Sequence, residues 1–497
     1  VLVDERLQIK RWPGSPKARK YVQLDGLSPD FQLGIYNGDI DTLACGLLER
    51  MLFCKVSGEF VSPPQVSSKT IRTKLGYFRS AVLKRCGRPP RLSLEEVVET
   101  YTGRKRTNYQ NALESLSIDP VKRKDARSKA FVKVEKGVLG KAPRPIQPRD
   151  PRYNLVVAQY IKPVEHAIYR GIARVYGDGP TVMKGYNVAQ IGNIVRGKWE
   201  SFHEPCAVGI DAVKFDMHVS KEMLEYEHGF YTNLFHDREL KRLLKWQIYN
   251  RGVGYCSNGK LRYQVTGRRF SGDMNTALGN CIIMCALVHA YSRDRGVKTK
   301  LINNGDDCVV FMEKRDLEKF MLGFTPWFLE FGFRMTVEEP VFEIEKIEFC
   351  QMHPVWTPLG YVMVRNLKKS LAKDTMALVA VNNEKSARTW LKAIGQCGAS
   401  IAPGIPIFQE FYQLLDRQAS RKSNIMKSAV MQSGFLMLSK GLEVRTRVVD
   451  PGTRVSFMTA FGLTPDEQRA YEEKLRNFEI CYDVLPPDTT IPIHFTI

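Results

Sequence analysis

The chain has 497 residues, 43% of them hydrophobic, which is enough to bury a large core and more than one domain usually holds, so several subdomains are expected. Its 74 Lys and Arg against 53 Asp and Glu leave a net charge of +21, which points to a polyanionic partner such as nucleic acid or an anionic membrane surface. The 11 cysteines are scattered without a Cys-x-x-Cys, and no stretch approaches about 18 uninterrupted apolar residues. Zinc, a disulfide framework and a membrane-spanning helix are therefore not expected, and reduced core thiols in a cytosolic protein are. The chain opens VLVDER, without methionine and without a signal-like stretch. It is expected to be the downstream part of a longer product, with any targeting or anchoring segment upstream.

Residues 1 to about 130 are basic and broken by Pro and Gly, as in RWPGSPKARKY and CGRPPR, with helical patterns such as LACGLLERMLF between the breaks. From Phe131 the run FVKVEKGVLGKAPRPIQPR reads as a strand, a Gly-rich turn and a second extended piece closed by prolines. Residues 205–313 alternate short apolar strands with helices, which predicts an α/β core holding an antiparallel hairpin. Beyond about residue 366 helical patterns dominate. In TPDEQRAYEEKLRNF, Thr464 is an N-cap, Pro465 the first helical residue, and Glu467 closes a capping box.

The stretch Asn303–Met312, NNGDDCVVFM, sets two carboxylates behind a glycine at the start of an apolar run. Asp-Asp after Gly is good turn chemistry by itself, so its meaning depends on partners elsewhere. In AVGIDAVKFDMHVSKEML an apolar strand runs into Asp211, with Asp216 five residues later and a helix opening near Ser220. A carboxylate at the end of a buried strand is costly unless paired or bound to metal, although a helix-initiating turn residue would also look like this. If Asp211 and Asp306 end neighbouring strands, two Mg2+ ions about 3.5–4 Å apart fit between them, the arrangement used for phosphoryl transfer. In GRRFSGDMNTALGNCIIMCALVHAY a Ser271-Gly272 loop leads into a helix that is apolar for several turns. Thr276 and Asn280 lie four apart on one face, and Asn280 needs a polar partner there. The run with Lys133, Lys136, Lys141, Arg144 and Arg149 can aim cations at a triphosphate or form a solvated basic face.

Taken in order, APRPIQPR, DAVKFD, SGDMNTALGN, NNGDD and KIEFCQMHP resemble motifs F, A, B, C and E of viral RNA-dependent RNA polymerases, over about residues 131–356. The details are similar to positive-strand RNA plant viruses of the tombusvirus family, carmovirus-like replicases among them. The resemblance implies an α/β (α+β) right-hand fold with fingers, palm and thumb, closed by fingertips. Residues 1–204 would be an N-terminal extension and fingers, including the segment 131–149. Residues 205–365 would be the palm, with part of the fingers inserted between motifs A and B, and 366–497 a helical thumb.

The same resemblance implies roles for the matching residues. Asp211 and Asp306 would be the principal metal ligands, with Asp307 supporting them. Asp216, Ser271, Thr276 and Asn280 would surround the incoming ribose, and Arg144, helped by Lys133 or Lys136, would contact the triphosphate. Cys350 would lie near the growing 3′ end, and Lys346 is one candidate for a general acid that stays unassigned. Mg2+ is the implied cofactor, with Mn2+ able to substitute. Viral RNA template, nascent RNA and NTPs are the implied partners. An auxiliary viral replication protein and a host membrane would be engaged through segments outside this chain, at replication complexes in the host cytoplasm. Primer-independent initiation is implied as well, with Trp390, Phe408, Phe411 and Tyr412 as available thumb aromatics.

Two other readings compete. A reverse transcriptase shares the palm chemistry, but usually sets a bulky aromatic where this chain has the small acid Asp216. A non-catalytic RNA-binding or coat-like protein accounts for the charge and leaves Asp211, Asp306 and Asp307 without purpose. Metal-dependent nucleotide incorporation separates the two classes.

Overall fold

The computed structural model describes residues 7–15, 19, 21–23, 33–138, 140–177, 179–378, 383–419 and 435–480. A four-stranded antiparallel sheet runs in the order Lys300–Asn304, Asp307–Glu313, Pro205–Ala212, Met335–Val337. Its two central strands, Asp307–Glu313 and Pro205–Ala212, carry continuous apolar runs because both faces are covered. Cys308, Val310 and Met312 pack with the helix Thr276–Arg295 in one core, and Val309 and Phe311 pack with the helix Val188–Glu200 in another. The Thr276–Arg295 helix is buried on most sides, which explains apolar residues all round it.

A second sheet of five strands runs Leu7–Arg11, Gly259–Thr266, Tyr249–Cys256, Ser128–Val132, Pro145–Ile146. Here the residues alternate. Leu7, Leu261, Tyr263, Val265, Ala130 and Val132 face a core shared with the helix Ile40–Leu47, while their neighbours face outward. That helix starts at Asp39, whose carboxylate accepts from the Thr42 N–H at 2.8 Å. The expected strand, turn and extended piece after Phe131 are present, and the Gln147 N–H donates to the Ser271 carbonyl at 2.8 Å, tying this sheet to the loop before the Thr276–Arg295 helix.

After the hairpin Met352–Thr357/Gly360–Arg365, the regular structure of the described residues is mainly helical, with Glu384–Ile401 packed on Phe408–Arg417 and Pro451–Phe461 followed by Pro465–Asn477. The capping box is formed: the Glu467 N–H donates to Thr464 Oγ1, and the Thr464 N–H donates to Glu467 Oε2 at 2.8 Å. Trp390, Phe408, Phe411 and Tyr412 are all buried in this helical core, so none of the four offers a ring for stacking. The spacing of 408, 411 and 412 puts them on one inward helix face. Among the described residues no helix is long and apolar enough to cross a membrane.

Candidate active site

Strand register brings the acidic residues together. Cys308 pairs with Ile210, so the next residues along, Asp307 and Asp211, lie at the same end of adjacent strands. Asp306 occupies the two-residue turn between Asn304 and Asp307, where Gly305 takes φ 70°, a conformation an L side chain resists. The turn is pinned: the Gly305 N–H donates to Cys281 Sγ at 3.3 Å, and Asn303 Nδ2 donates to the Gly305 carbonyl at 2.7 Å. Asp307 Oδ2 accepts from the Cys350 N–H at 2.8 Å, so one of its oxygens is already committed. Cys350 itself sits at φ 51° in a turn beside the carboxylates, and its sulfur accepts from Asn304 Nδ2 at 3.5 Å.

The charges in this cleft are not balanced by fixed partners. Burial raises the Asp211 pKa, and the neighbouring Asp306 adds to it; burial likewise raises Asp306. Asp307 is pushed up to about 6 by burial, against the lowering effect of the Cys350 N–H. Lys141 pulls Asp211 down, and Arg144 and Lys184 pull Asp306 down, without cancelling the rise. Carboxylates held above their ordinary range gain from a cation. Burial keeps the flanking Cys281 and Cys350 thiols protonated, so the available donors are hard carboxylate oxygens, the set a Mg2+-like ion prefers. No three described His, Cys, Asp or Glu side chains converge closely enough to hold an ion alone.

Asp216 lies on the other side of a bend at Lys214, which takes φ 47°. Ser271 Oγ donates to Asp216 Oδ2 at 2.6 Å, and Asn280 Nδ2 reaches Oδ1 at 3.5 Å, so these three expected residues do meet. Burial raises the Asp216 pKa, and the two hydrogen bonds oppose that rise. Thr276 belongs to the same helix, but its hydroxyl is spent on the Phe270 carbonyl at 2.8 Å.

The basic run divides. Arg144 is exposed, 3.6 Å from Glu135, and acts on Asp306; Lys133 is paired with Glu135 at 2.9 Å. Lys136 does not join them. Its ammonium donates to the Lys373 carbonyl, and burial lowers its pKa to about 8. Arg149 is a second correction: fully buried, it pairs with Asp273 and donates to the Ala126 carbonyl at 2.7 Å and Asn250 Oδ1 at 2.8 Å. It holds the loop before the Thr276–Arg295 helix and presents no cation to the cleft. An extended segment alternates its side chains between faces, and sequence alone does not say which face is wet. Lys346 is exposed and paired with Glu343 at 2.8 Å.

Two features were missed. Behind Asn280 lies a buried ion pair: Arg269 Nε donates to Asn280 Oδ1 at 2.8 Å, while its guanidinium end contacts Glu227, which also accepts from Tyr231 and Asn275. A Cβ at Gly279 would fall 2.3 Å from both Arg269 and Glu227, so glycine there makes the room. The signal was readable: Met223, Glu227, Phe230 and Leu234 share one helical face, which places an acid in the apolar stripe. The other is Lys184, beside Asp306. Its strand-like segment pairs with the hairpin through the Met183 N–H to the Asn303 carbonyl at 2.8 Å.

A family model described as viral RNA dependent RNA polymerase matches residues 7–483. The chain belongs to this family. It is 42% identical over 473 residues to the RNA-directed RNA polymerase of Turnip crinkle virus, covering 94% of this chain and 60% of that protein. It is 40% identical over 476 residues to that of Carnation mottle virus (95% and 62%), and 36% identical over 485 residues to that of Tomato bushy stunt virus, strain Cherry (97% and 59%). The chain spans about three fifths of the length of these relatives. The mixed α/β fold and the order of the acidic motifs agree with that membership.

Proposed function

We propose that this chain is the polymerase portion of a tombusvirus-type replicase, copying viral RNA by template-directed nucleotidyl transfer from NTPs. The observation that carries the reading is the strand register that sets Asp211, Asp306 and Asp307 at one end of adjacent strands, together with the Asp216–Ser271–Asn280 cluster. Asp211 and Asp306 would hold Mg2+ or Mn2+, with Asp307 in support. Such ions stabilise the charge of the attacking and leaving oxygens. The chain's own residues do the rest. Asp216, oriented by Ser271 and Asn280, accepts a hydrogen bond from the ribose 2′-OH, and a small acid there leaves room for that hydroxyl. Arg144, with Lys133 and Lys184 nearby, binds the triphosphate through a planar, charge-assisted fork.

Within the right-hand reading, residues 1–204 form the N-terminal extension and fingers, 205–365 the palm with inserted finger strands, and 366–497 the thumb. Fingertips would close the hand, and Lys136 reaching Lys373 is one contact across that closure. Initiation without a primer is part of the proposal; its stacking platform must come from residues other than the four buried aromatics. The auxiliary replication protein, the host membrane and a cytoplasmic replication complex are proposed on the family alone.

The test supplies the protein with an unblocked RNA template and NTPs, with and without Mg2+. Complementary RNA carrying a 5′ triphosphate, formed only with the divalent ion, is the expected result. Product that needs an annealed primer or a folded-back template end overturns primer independence. Absence of templated product under any divalent ion overturns the polymerase reading.

A further inference from the structure

The five-stranded sheet has one face buried against the helix Ile40–Leu47 and one face open. The open face carries Gln8 and Lys10; Lys260, Arg262, Gln264 and Thr266; Tyr249, Arg251 and Tyr255; and Lys129 with Phe131, around a buried Val253 at its centre. Every charged side chain on its strands is basic, and the carboxylates that border it, Glu222 beside Arg251 and Asp119, Asp125 and Asp150 beside Lys129 and Tyr255, lie at its margin. Arg127, which precedes the Ser128–Val132 strand, extends it beside Arg251, and Arg251 borders three grooves of about 740, 390 and 180 Å³.

The arrangement costs stability in the free protein. Lys10 stands directly opposite Lys260 in the register, and like charges facing across strands repel. Among the described residues, Arg127, Arg251, Lys260 and Arg262 form no ion pair, and Lys129 is only loosely paired, 3.8 Å from Asp150. Most sheets with an open face interleave both signs to avoid this. The acids at the margin leave Arg127, Arg251, Lys260 and Arg262 without an ion pair among the described residues, and an anion supplied from outside would relieve their repulsion.

Three exposed rings stand among these cations: Tyr255 is 67% exposed, Tyr249 50% and Phe131 45%. Lys221 sits over the Tyr249 ring at 5.5 Å. Cations that follow a backbone, with rings on which bases can stack, are what a single-stranded nucleic acid requires; a duplex hides its base faces. A protein partner would need an acidic surface and would gain little from isolated rings.

We infer that the open face of this sheet binds single-stranded RNA outside the catalytic cleft. The family supplies the nature of the anion, and nothing in the inference depends on catalysis. The sheet leads from the Ser271 loop, reached through Gln147, to the Leu7–Arg11 edge, so a strand on this face would be held as it passes to or from the cleft.

The test uses the full chain and the variant Arg127→Ala/Arg251→Ala/Arg262→Ala, with fluorescent oligouridylates of about 30 and about 8 nucleotides, the shorter matching a single site. Anisotropy is read over a range of salt. The expected result is about tenfold weaker binding of the long strand and a salt slope smaller by about two, from three lost phosphate contacts on single-stranded RNA. The short strand, held by the cleft, should change less than about twofold, and Tyr255→Ala should weaken the long strand without changing the slope. Unchanged long-strand affinity in a folded triple variant overturns the inference. So does equal loss for both lengths, or lost binding of polyglutamate with RNA binding intact, which would assign the face to an acidic protein. Nucleotide addition on the short strand, measured in parallel, reports on the cleft separately. Its absence from the wild type would sink the polymerase reading while the binding series still judges the face.

Discussion

Two groups of carboxylates lie close together in this molecule and are treated in opposite ways. Glu227 and Asp273 are buried and paired, Glu227 with Arg269 and the further donors Tyr231 and Asn275, and Asp273 with two nitrogens of Arg149. Asp211, Asp306 and Asp307 stand at the cleft with raised pKa values, held by backbone groups such as the Cys350 N–H on Asp307 and the Ala212 backbone on Asp211, and among the described residues none of them is in an ion pair. The first group is complete without a ligand. The second is stable only as far as neighbouring strands force it, which is how a site for a cation and a phosphate differs from a structural ion pair.

Neutralising either kind of acid without changing its shape should therefore have different consequences. Asp211→Asn or Asp306→Asn should cut nucleotide incorporation by roughly a thousandfold or more, since metal charge stabilisation is worth several kcal/mol, while thermal stability holds or rises. Near wild-type turnover in either variant would end the assignment of the cleft. Glu227→Gln should do the reverse and destabilise the fold by about 3–5 kcal/mol, because Arg269 stays buried without a counter-charge. Urea unfolding measures this, and pairing the change with Arg269→Met should recover much of the loss.

The link between the groups is Asn280, which touches Arg269 and Asp216. Asn280→Ala should lower the preference for NTP over dNTP by about 1–3 kcal/mol, roughly 5- to 150-fold, read as the ratio of kcat/KM values. An unchanged ratio would confine Asn280 to a structural role.

The smallest effect is on pH. Asp307 titrates near 6 in the folded protein, above the ordinary carboxylate value of 3.8. The folded state therefore binds more protons than the unfolded one between these values, and metal-free protein should lose stability as pH rises from about 4 to about 6. Asp307→Asn should flatten that slope, and added Mg2+ at neutral pH should offset the loss. Differential scanning fluorimetry across this range checks both.

Much of this was readable before the structure. Gly305 predicts the turn, the apolar run into Asp211 predicts a buried strand, and Thr464 with Glu467 predicts a helix start. Each is local, set by residues a few positions apart. What escaped is long-range or depends on facing. Arg269 and Glu227 are 42 positions apart, and the pairing of Leu7 with Tyr263 crosses half the chain. Lys136 and Arg149 belong to an extended basic run whose wet face only packing decides, so the sequence alone does not separate them from Arg144. Trp390, Phe408, Phe411 and Tyr412 lie on the apolar faces of their two helices, where burial is the ordinary outcome.

The central claim is that Asp211 and Asp306 hold divalent cations that the rest of the cleft does not. The most direct test is Mn2+ binding followed by water proton relaxation, in the presence of NTP, for the wild type and for Asp306→Asn. The account predicts tight Mn2+ binding that the substitution removes without loss of fold. Equal binding by both proteins would contradict it.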